Sequence, residues 1–249
     1  IVDRLVGSEM CIRDRLCRPF EWGADLVVHS TTKFLSGQGN AMGGIVIDSG
    51  RFPWFGNAKY PSLSEPCPDY NGLTFAETFG DMAFTLYSHA VSLRDLGCTQ
   101  SPMNAWITLN GVETLPLRME RHVENAQKVA GFLQQHPSVE WVSYAGLSSS
   151  PYYQLAQKYL QGKAGSVFTF GIRGGYESGL RLLEKVELFS HVSNIGDSRS
   201  LILHPASTTH RQLSDEQRLT AGAGPEVIRL SVGIESAKDL IADLEQALE

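Results

Sequence analysis

The sequence has few cysteines, no long apolar run and no concentration of positive charge. Its four cysteines form no C-x-x-C pair and are too few for a disulfide scaffold of this size: Cys11, Cys17, Cys67 and Cys98. A reducing, cytoplasmic environment is therefore expected. No apolar run approaches the ~20 residues that cross a bilayer, and Lys and Arg are spread along a chain of net charge -6. These absences argue against membrane and nucleic-acid partners and favour small-molecule chemistry.

The chain has enough apolar residues for a core, since 42% of its positions are hydrophobic. The first fifteen residues, IVDRLVGSEMCIRDR, show no period of two or 3.6 and do not begin with methionine. Within them, VGSEMCIRD resembles the translation of sequencing-adapter DNA. We therefore expect residues 1–15 to be a non-native leader that makes few buried contacts, and we exclude it from the fold argument.

From Gly23 onward the pattern alternates between strand and helix. ADLVVHS predicts a buried parallel strand, and GGIVID predicts a second strand. Residues 51–73 are rich in Pro, Gly and aromatics, which predicts a long surface loop. Residues 74–97 predict one helix ended by a glycine, and Ser101 caps the next helix, whose first turn contains Pro102.

A long helix with one apolar stripe follows and is expected to connect two domains. The stripe has spacings of four and three: Met119, Val123, Ala126, Ala130 and Leu133. After Pro137 the predicted order is strand, helix, strand, helix, strand, strand and helix. This alternation predicts a small α/β domain with a mixed sheet covered by helices on one side.

The most informative segment is HSTTKFLSGQGNAMGG, residues 29–44. At a strand spacing of two, Ser30 and Thr32 point the same way and can contact one phosphate, while Lys33 turns to the other side. A partly desolvated lysine at the end of a strand is suited to lose its proton and form a Schiff base. By itself, however, an S-x-T-K string is more often an exposed lysine after a strand. The glycines fit neither the G-x-G-x-x-G nor the P-loop pattern, which excludes a nucleotide loop.

Four separated motifs resemble the Cys/Met-metabolism family of pyridoxal-phosphate enzymes: HSTTKF, SPMNAWITLNGVETLPLRMERHVENA, GDSRSLILHPASTTH and VIRLSVGIE. The resemblance runs from about Leu16 to the last residue. It implies pyridoxal 5'-phosphate as cofactor and the C-terminal part of a type I aminotransferase-like α/β fold. Residues 16–118 would close the large cofactor-binding domain, and residues 119–249 would form the small C-terminal domain.

The same resemblance implies roles for individual residues. Lys33 matches the lysine that forms a Schiff base with the cofactor, and Ser30 and Thr32 match the phosphate-contacting hydroxyls beside it. Arg229 matches the arginine that binds the substrate's α-carboxylate, for which a planar guanidinium gives a bidentate grip. Without the resemblance, Arg229 on a short strand would be interpreted as a surface or interface salt bridge.

Four further residues lie in the turn HPASTTH and the segment SNIGD. Thr209 matches a hydroxyl at the carboxylate-binding end of the site, or is a simple turn residue. His204 and His210 lie six residues apart without a thiolate or carboxylate partner, so we expect structural roles and predict no metal site. Asn194 stands where γ-lyases of the family usually carry a serine, and it resembles the sulfhydrylase branch as a substrate-binding residue.

The resemblance implies a γ-replacement in which O-acetylhomoserine and sulfide give homocysteine and acetate. Cystathionine γ-synthase or methionine γ-lyase activity is the alternative, with the same Lys33 and Arg229. The implied partners are an amino-acid substrate and sulfide, and the implied assembly is a homotetramer built from dimers. The family's aspartate partner of the pyridine nitrogen lies upstream of the lysine. The 249-residue chain by itself is therefore expected to be nearly inactive and prone to associate, and an inactive fragment is the alternative from another class.

Overall fold

The structure is a computed structural model that describes residues 16–249. The predicted leader at residues 1–15 lies outside the described residues. Contacts divide the described chain into two units. The first contains Arg18–Ser30 and Gly43–Ala105, and the second contains residues 16–17, Thr31–Met42 and Trp106–Glu249. The predicted domain boundary near residue 118 stays a prediction.

The first unit consists of two strands and several short helices. Its strands are β1 (Leu26–Ser30) and β2 (Gly44–Asp48), and its α-helices are α1 (Pro61–Ser64), α2 (Phe75–Phe79) and α3 (Ala83–Tyr87). Shorter 3-10 turns cover Pro19–Trp22, Pro68–Tyr70 and Gly80–Met82, and a π-helical segment covers Ser88–Asp95.

The two strands form an antiparallel pair, with Leu26 opposite Asp48 and Ser30 opposite Gly44. The prediction of a parallel strand is therefore wrong for this pair. Residues 31–43 connect the two strands and contain only the short turn Thr31–Leu35, not the crossover helix that usually joins parallel strands, so β2 returns beside β1 in the opposite direction. The side chains of Ile45 and Val46 in β2 are about half exposed, at 45% and 52%, so this strand presents an apolar surface.

The helical segment at residues 74–97 is broken rather than continuous. At Gly80 the backbone has a φ of 54° and a ψ of -120°, which ends α2 and starts a 3-10 turn. Only glycine takes up such a conformation easily. The segment ends at Gly97, whose φ of 72° agrees with the predicted glycine stop.

The loop at residues 51–73 is not confined to the surface. Trp54 and Leu63 are buried and pack with Phe75 and Ala83 from the helices that follow. The Trp54 and Phe84 rings stack with centroids 5.7 Å apart. The proline and glycine content predicted the irregular backbone correctly. The predicted surface location is wrong in part, because aromatic side chains of this loop form the core of the unit.

The helix predicted to begin at Ser101 and the striped helix predicted after it are one helix, α4 (Pro102–Gln135). The Ser101 hydroxyl accepts from the Asn104 amide at 3.2 Å, so the predicted cap is confirmed. Pro116 lies inside the helix without ending it. The stripe from Met119 to Leu133 faces the core of the second unit, because four of its five residues are buried.

The second unit contains a five-stranded sheet and four more helices. The remaining elements are β3 (Val139–Ser143), α5 (Tyr153–Leu160), β4 (Val167–Ile172), α6 (Gly175–Lys185), β5 (Ser190–His191), β6 (Leu201–Leu203), α7 (Asp215–Thr220), β7 (Val227–Ser231) and α8 (Ala237–Leu248). The strand order is β3-β4-β7-β6-β5. Only the β5–β6 pair is parallel, so the predicted mixed sheet is confirmed.

One face of this sheet forms the main core with α4, α6 and α8. Phe170, Ile228 and Leu230 from the central strands are fully buried in it, together with Leu182 of α6 and Leu244 of α8. Alternate residues of a strand point to opposite faces. Arg229, between Ile228 and Leu230, therefore points away from this core.

Asp243 of α8 holds the chain that enters β5. Its carboxylate accepts from the backbone amides of Glu187, Leu188 and Phe189 at 2.8, 2.9 and 3.1 Å. Burial opposes its ionisation, but these amides keep the pKa of the Asp243 carboxyl below its usual value. No α-helix among residues 16–249 is both long and apolar enough to cross a membrane.

Candidate active site

Lys33 lies in a wide helical turn directly after β1. The strand ends at Ser30, and Thr31–Leu35 form a π-type turn closed by the Ser36 amide, which donates to the Thr31 carbonyl at 3.0 Å. Thr32 is therefore not a strand residue, and the strand spacing of two does not place its hydroxyl beside that of Ser30. The phosphate-contacting roles of Ser30 and Thr32 stay predictions that rest on the resemblance.

The structure brings Lys33, Asn194 and Arg229 together. The Lys33 amine donates to the Asn194 side-chain oxygen. The Arg229 guanidinium donates to the backbone oxygens of Ser193 at 2.8 Å and Asn194 at 3.4 Å. One residue thus contacts the amine through its side chain and the guanidinium through its backbone.

Arg229 reaches this place because of its position in β7. It lies opposite Thr169 of β4 and Leu203 of β6, on the sheet face that does not form the main core. Its half-buried side chain is held by backbone carbonyls rather than by a carboxylate in these contacts. A guanidinium carries five donors in a planar fork, a geometry that matches a carboxylate.

The loop that contains Asn194 is packed tightly on the lysine turn. Ser198 donates to the Gly37 carbonyl through its amide at 2.8 Å and its hydroxyl at 2.7 Å. Gly196 lies so close to Phe34 that a Cβ at this glycine would be 2.7 Å from the ring. These contacts fix the position of Asn194 relative to Lys33.

Thr209 is not part of this group. Its side chain is exposed, and its hydroxyl lies 2.9 Å from Nδ1 of the neighbouring His210. His204 is buried between Ser207 Oγ at 3.0 Å and the Pro225 carbonyl at 2.9 Å, so its predicted structural role is confirmed. The substrate-binding role of Thr209 stays a prediction. Among residues 16–249, no cluster of His, Cys, Asp and Glu has the arrangement of a metal site.

A buried histidine lies behind the lysine turn. His122 Nδ1 is 2.6 Å from the Val232 carbonyl, so Nδ1 carries the hydrogen and Nε2 of the neutral ring is an acceptor. Nε2 has no hydrogen-bond partner among the described residues. The ring meets that of Phe34 edge to face, with centroids 5.4 Å apart. Burial lowers the pKa of His122 to about 4.

This low pKa predicts a loss of stability in mild acid. Above about pH 6.5 the ring is neutral in both folded and unfolded chains. Between pH 6.5 and 4 only the unfolded chain binds the proton, so the free energy of unfolding falls by about 3 kcal/mol, and it falls no further below pH 4. His122→Gln should remove this loss in urea unfolding measured across the range.

The exposed His89 provides the control, since His89→Gln should keep the full acid loss. Burial also lowers the pKa of His204, which accounts for a residual pH dependence in the His122 variant. An acid loss that is the same in His122→Gln as in the unchanged protein would contradict the assignment.

The side chains around Lys33 suit pyridoxal phosphate. The lysine supplies an amine for the aldehyde, and hydroxyl residues flank it in the sequence. Thr31 Oγ1 is buried and has no hydrogen-bond partner among the described residues, as expected for a polar atom beside a site completed by a bound polar group. The chemistry of these donors therefore fits the cofactor that the resemblance implies.

Comparison with known proteins establishes the class. Residues 9–249 match the family described as Cys/Met metabolism PLP-dependent enzyme, and the chain belongs to this family. The match begins seven residues before Leu16, where the resemblance was expected to start. The chain is 50% identical over 233 residues to O-acetyl-L-homoserine sulfhydrylase 1 of Thermus thermophilus and 51% identical over 243 residues to O-acetyl-L-homoserine sulfhydrylase of Leptospira meyeri.

Each of these matches covers 94% of the chain but 55% of the relative, so the chain spans about half the length of the curated relatives it matches. It is also similar to a crystal structure of an O-acetylhomoserine (thiol)-lyase from Campylobacter jejuni that contains N'-pyridoxyl-lysine-5'-monophosphate. The TM-score is 0.93 at 41% identity, over 98% of this chain and 58% of that one.

A cystathionine gamma synthase from Xanthomonas oryzae, in complex with cystathionine, matches with a TM-score of 0.78 at 32% identity, over 98% of this chain and 54% of that one. The predicted fold class is thereby confirmed: the chain is part of a type I, aminotransferase-like α/β fold. Pyridoxal phosphate is the cofactor of the family.

Sequence reasoning missed a row of buried polar residues on α4, of which Arg118 binds the lysine turn while His122 and Asn125 bind backbone carbonyls after β7. Arg118, His122 and Asn125 lie on one side of α4 and are buried. Their spacing of four and three is visible in the sequence beside the apolar stripe. The motif RMERHVENA contributed only to the family resemblance. Its three polar residues have the same helical spacing as the neighbouring apolar stripe, which indicates that they are buried and make polar contacts.

Proposed function

We propose that this chain is part of a pyridoxal-phosphate enzyme that replaces the acetoxy group of O-acetylhomoserine with sulfide, giving homocysteine and acetate. The observation that supports it best is the contact of Lys33 with Asn194, whose backbone also accepts from Arg229. A site for an α-amino acid needs a base near the α-carbon and a cation for the α-carboxylate. Asn194 holds an amine and a guanidinium that can fill these two roles. The names of the relatives that are 46–51% identical support the substrate.

Each residue of the site has a distinct task in this proposal. Lys33 holds the cofactor covalently and, when displaced by the substrate's amino group, moves the proton at the α-carbon. Arg229 binds and orients the α-carboxylate. Asn194 orients the Lys33 amine through its side-chain oxygen. Ser30 and Thr32 contact the phosphate, and Thr209 supports the carboxylate end; these three roles rest on the resemblance.

Pyridoxal phosphate, when bound, supplies the electron sink that makes the α-proton acidic and permits the group on the γ-carbon to leave. In the net reaction, the C–O bond between the γ-carbon and the acetoxy group breaks, and a C–S bond between the γ-carbon and sulfide forms. The protein contributes positioning: Lys33 lies where its amine reaches the α-proton, and Arg229 fixes the α-carboxylate so that the substrate keeps this orientation.

Cystathionine γ-synthase activity is the second candidate, because the Xanthomonas oryzae enzyme shares the fold at 32% identity. The two functions differ in the nucleophile. We expect the full-length protein, given O-acetylhomoserine and sulfide, to form homocysteine. It should form cystathionine from cysteine at least about tenfold more slowly at equal concentration, a difference of about 1.4 kcal/mol in transition-state free energy.

The control reaction contains O-acetylhomoserine but neither sulfide nor cysteine. Release of 2-oxobutanoate under that condition would identify γ-elimination, the alternative reaction class, in place of γ-replacement. Faster turnover with cysteine than with sulfide would contradict the sulfhydrylase proposal and favour the synthase.

We further propose a cytoplasmic homotetramer built from dimers, as the family resemblance implies. Apolar side chains along the first half of α4 support a covered surface, since Trp106, Leu109 and Leu117 are 62%, 65% and 72% exposed. Sedimentation of the protein at several concentrations would measure the assembly.

A further inference from the structure

Arg118 is a buried cation that binds backbone carbonyls. Its side chain on α4 is 8% exposed. Nη1 donates to the Phe34 carbonyl at 2.9 Å, and Nη2 donates to the Gly111 carbonyl at 2.7 Å and the Leu35 carbonyl at 3.3 Å. Nε donates to the Thr114 hydroxyl at 3.2 Å. None of these partners is a carboxylate, and burial lowers the pKa of the guanidinium.

The cost of burying this charge indicates a specific task. A buried cation without a counter-ion loses much of its hydration energy, which neutral hydrogen bonds return only in part. A methionine would fill the same space at lower cost if only packing were needed. What the guanidinium provides in addition is a rigid fork of donors directed at two successive carbonyls of the lysine turn.

Two glycines allow this close approach. A Cβ on Gly37 would lie 2.3 Å from Arg118 Nη1, and a Cβ on Gly111 would lie 2.4 Å from the Leu35 carbonyl oxygen. Glycine in the middle of a helix normally costs about 0.5–1 kcal/mol relative to alanine. Its presence in α4 is explained by the backbone of the lysine turn passing directly over it.

The turn is therefore held from two sides. Arg118 holds Phe34 and Leu35, the two residues after Lys33, while Ser198 holds Gly37 from the loop that contains Asn194. The Gly37 amide also donates to the Lys33 carbonyl at 2.8 Å. Fixing these backbone groups fixes the Cα of Lys33, from which its long and otherwise flexible side chain must reach its target.

We propose that Arg118 is a positioning residue for Lys33: its guanidinium fixes the turn so that the lysine amine is delivered to the cofactor's aldehyde and the substrate's α-carbon, without touching either. The inference rests on the proposed function of Lys33. Arg118 acts through the backbone at residues 34 and 35, and its loss changes where the amine lies rather than whether it is present.

The test compares Arg118→Met, Arg118→Lys and a matched control, Asp243→Ala. Asp243 is also 8% exposed and also binds successive backbone groups of one loop, but away from the lysine turn. Each protein is mixed with pyridoxal 5'-phosphate at a temperature equally far below its own unfolding midpoint. Samples are reduced with borohydride over time, and pyridoxyl-modified Lys33 is measured by peptide mass spectrometry.

We expect Arg118→Met to slow modification of Lys33 by about tenfold to a hundredfold, since small displacements of a reacting group have effects of this size. Arg118→Lys should recover only part of the rate, because an ammonium group lacks the planar fork. Asp243→Ala should lower the unfolding midpoint yet react at the unchanged rate.

Three results would overturn the inference. The first is an unchanged rate in both Arg118 variants, and the second is equal slowing by Asp243→Ala, which would show a merely structural role. In either case the unchanged protein still reacts at Lys33, so the proposed function survives. The third is modification at a different lysine in the unchanged protein, which would refute the function of Lys33 together with this inference.

Discussion

In the full-length protein, replacing Lys33 by alanine is expected to reduce turnover by on the order of 10³-fold or more, because one substitution removes both the covalent attachment of the cofactor and the group that moves the α-proton. The Asn194 side chain that accepts from the Lys33 amine is an amide, which is not nucleophilic and cannot replace it. Stability should change by no more than about 1.5–3 kcal/mol, the usual value of one hydrogen bond to a charged group. Steady-state kinetics and thermal unfolding measure the two effects.

Lys238→Ala is the matched control, because Lys238 is an exposed lysine in the first turn of α8. It should leave turnover and unfolding unchanged. Added methylamine should restore part of the activity of Lys33→Ala, since a free amine can enter the space that the lysine leaves. Turnover within tenfold of the unchanged protein in Lys33→Ala would contradict the proposed role.

In the full-length protein, replacing Arg229 by lysine is expected to lower kcat/KM. The loss should correspond to about 2–5 kcal/mol of transition-state free energy, the cost of losing a charged contact with the substrate. Lysine keeps the charge and can still donate to the Ser193 carbonyl, which Arg229 contacts at 2.8 Å. It cannot grip a carboxylate with two parallel hydrogen bonds. The loss should therefore appear mainly in substrate capture, while modification of Lys33 by the cofactor stays unchanged.

Arg173→Lys provides a matched control. Arg173 follows β4 and also donates to a backbone carbonyl, that of Pro137 at 3.0 Å, but it is exposed and lies outside the site. It should leave kcat/KM unchanged. A destabilised Arg229→Lys protein with normal kcat/KM would mean that Arg229 serves the fold by holding the loop at Ser193 and Asn194, and not the substrate.

Much of the second unit could be predicted because its strands are short apolar runs and its helices have apolar faces. Strands such as Val167–Ile172 and Val227–Ser231 alternate around a core, and helices with clear apolar faces separate them. The two-residue strand Ser190–His191 and the helix Asp215–Thr220 were missed. A strand this short has no period, and Asp215–Thr220 has no buried residue that would reveal one.

The first unit was predicted less well for reasons that lie beyond local sequence. Pairing direction between Leu26–Ser30 and Gly44–Asp48 depends on the path of the connecting segment, which composition does not reveal. In the second unit, α4 continues through Pro116 although proline ordinarily ends or kinks a helix. A proline inside a helix costs ~3 kcal/mol, and only the surrounding contacts decide whether the helix ends there.

For the site, the resemblance selected three residues that the fold brings together, Lys33, Asn194 and Arg229. They are separated by up to 196 positions in the sequence, so no local pattern connects them. The resemblance also selected Thr209, which the structure shows exposed beside His210. Conversely, Arg118 was overlooked, because an arginine on a helix is ordinarily a surface residue.

The most direct test of the account is to find where pyridoxal 5'-phosphate attaches to the unchanged protein. Condensation of a lysine amine with the aldehyde releases water, and borohydride then adds hydride to the resulting C=N bond, which makes the link permanent. The account predicts that mass spectrometry after proteolysis will find the pyridoxyl group on Lys33, at one group per chain. A group spread over several exposed lysines, or placed at a single lysine other than Lys33, would contradict it.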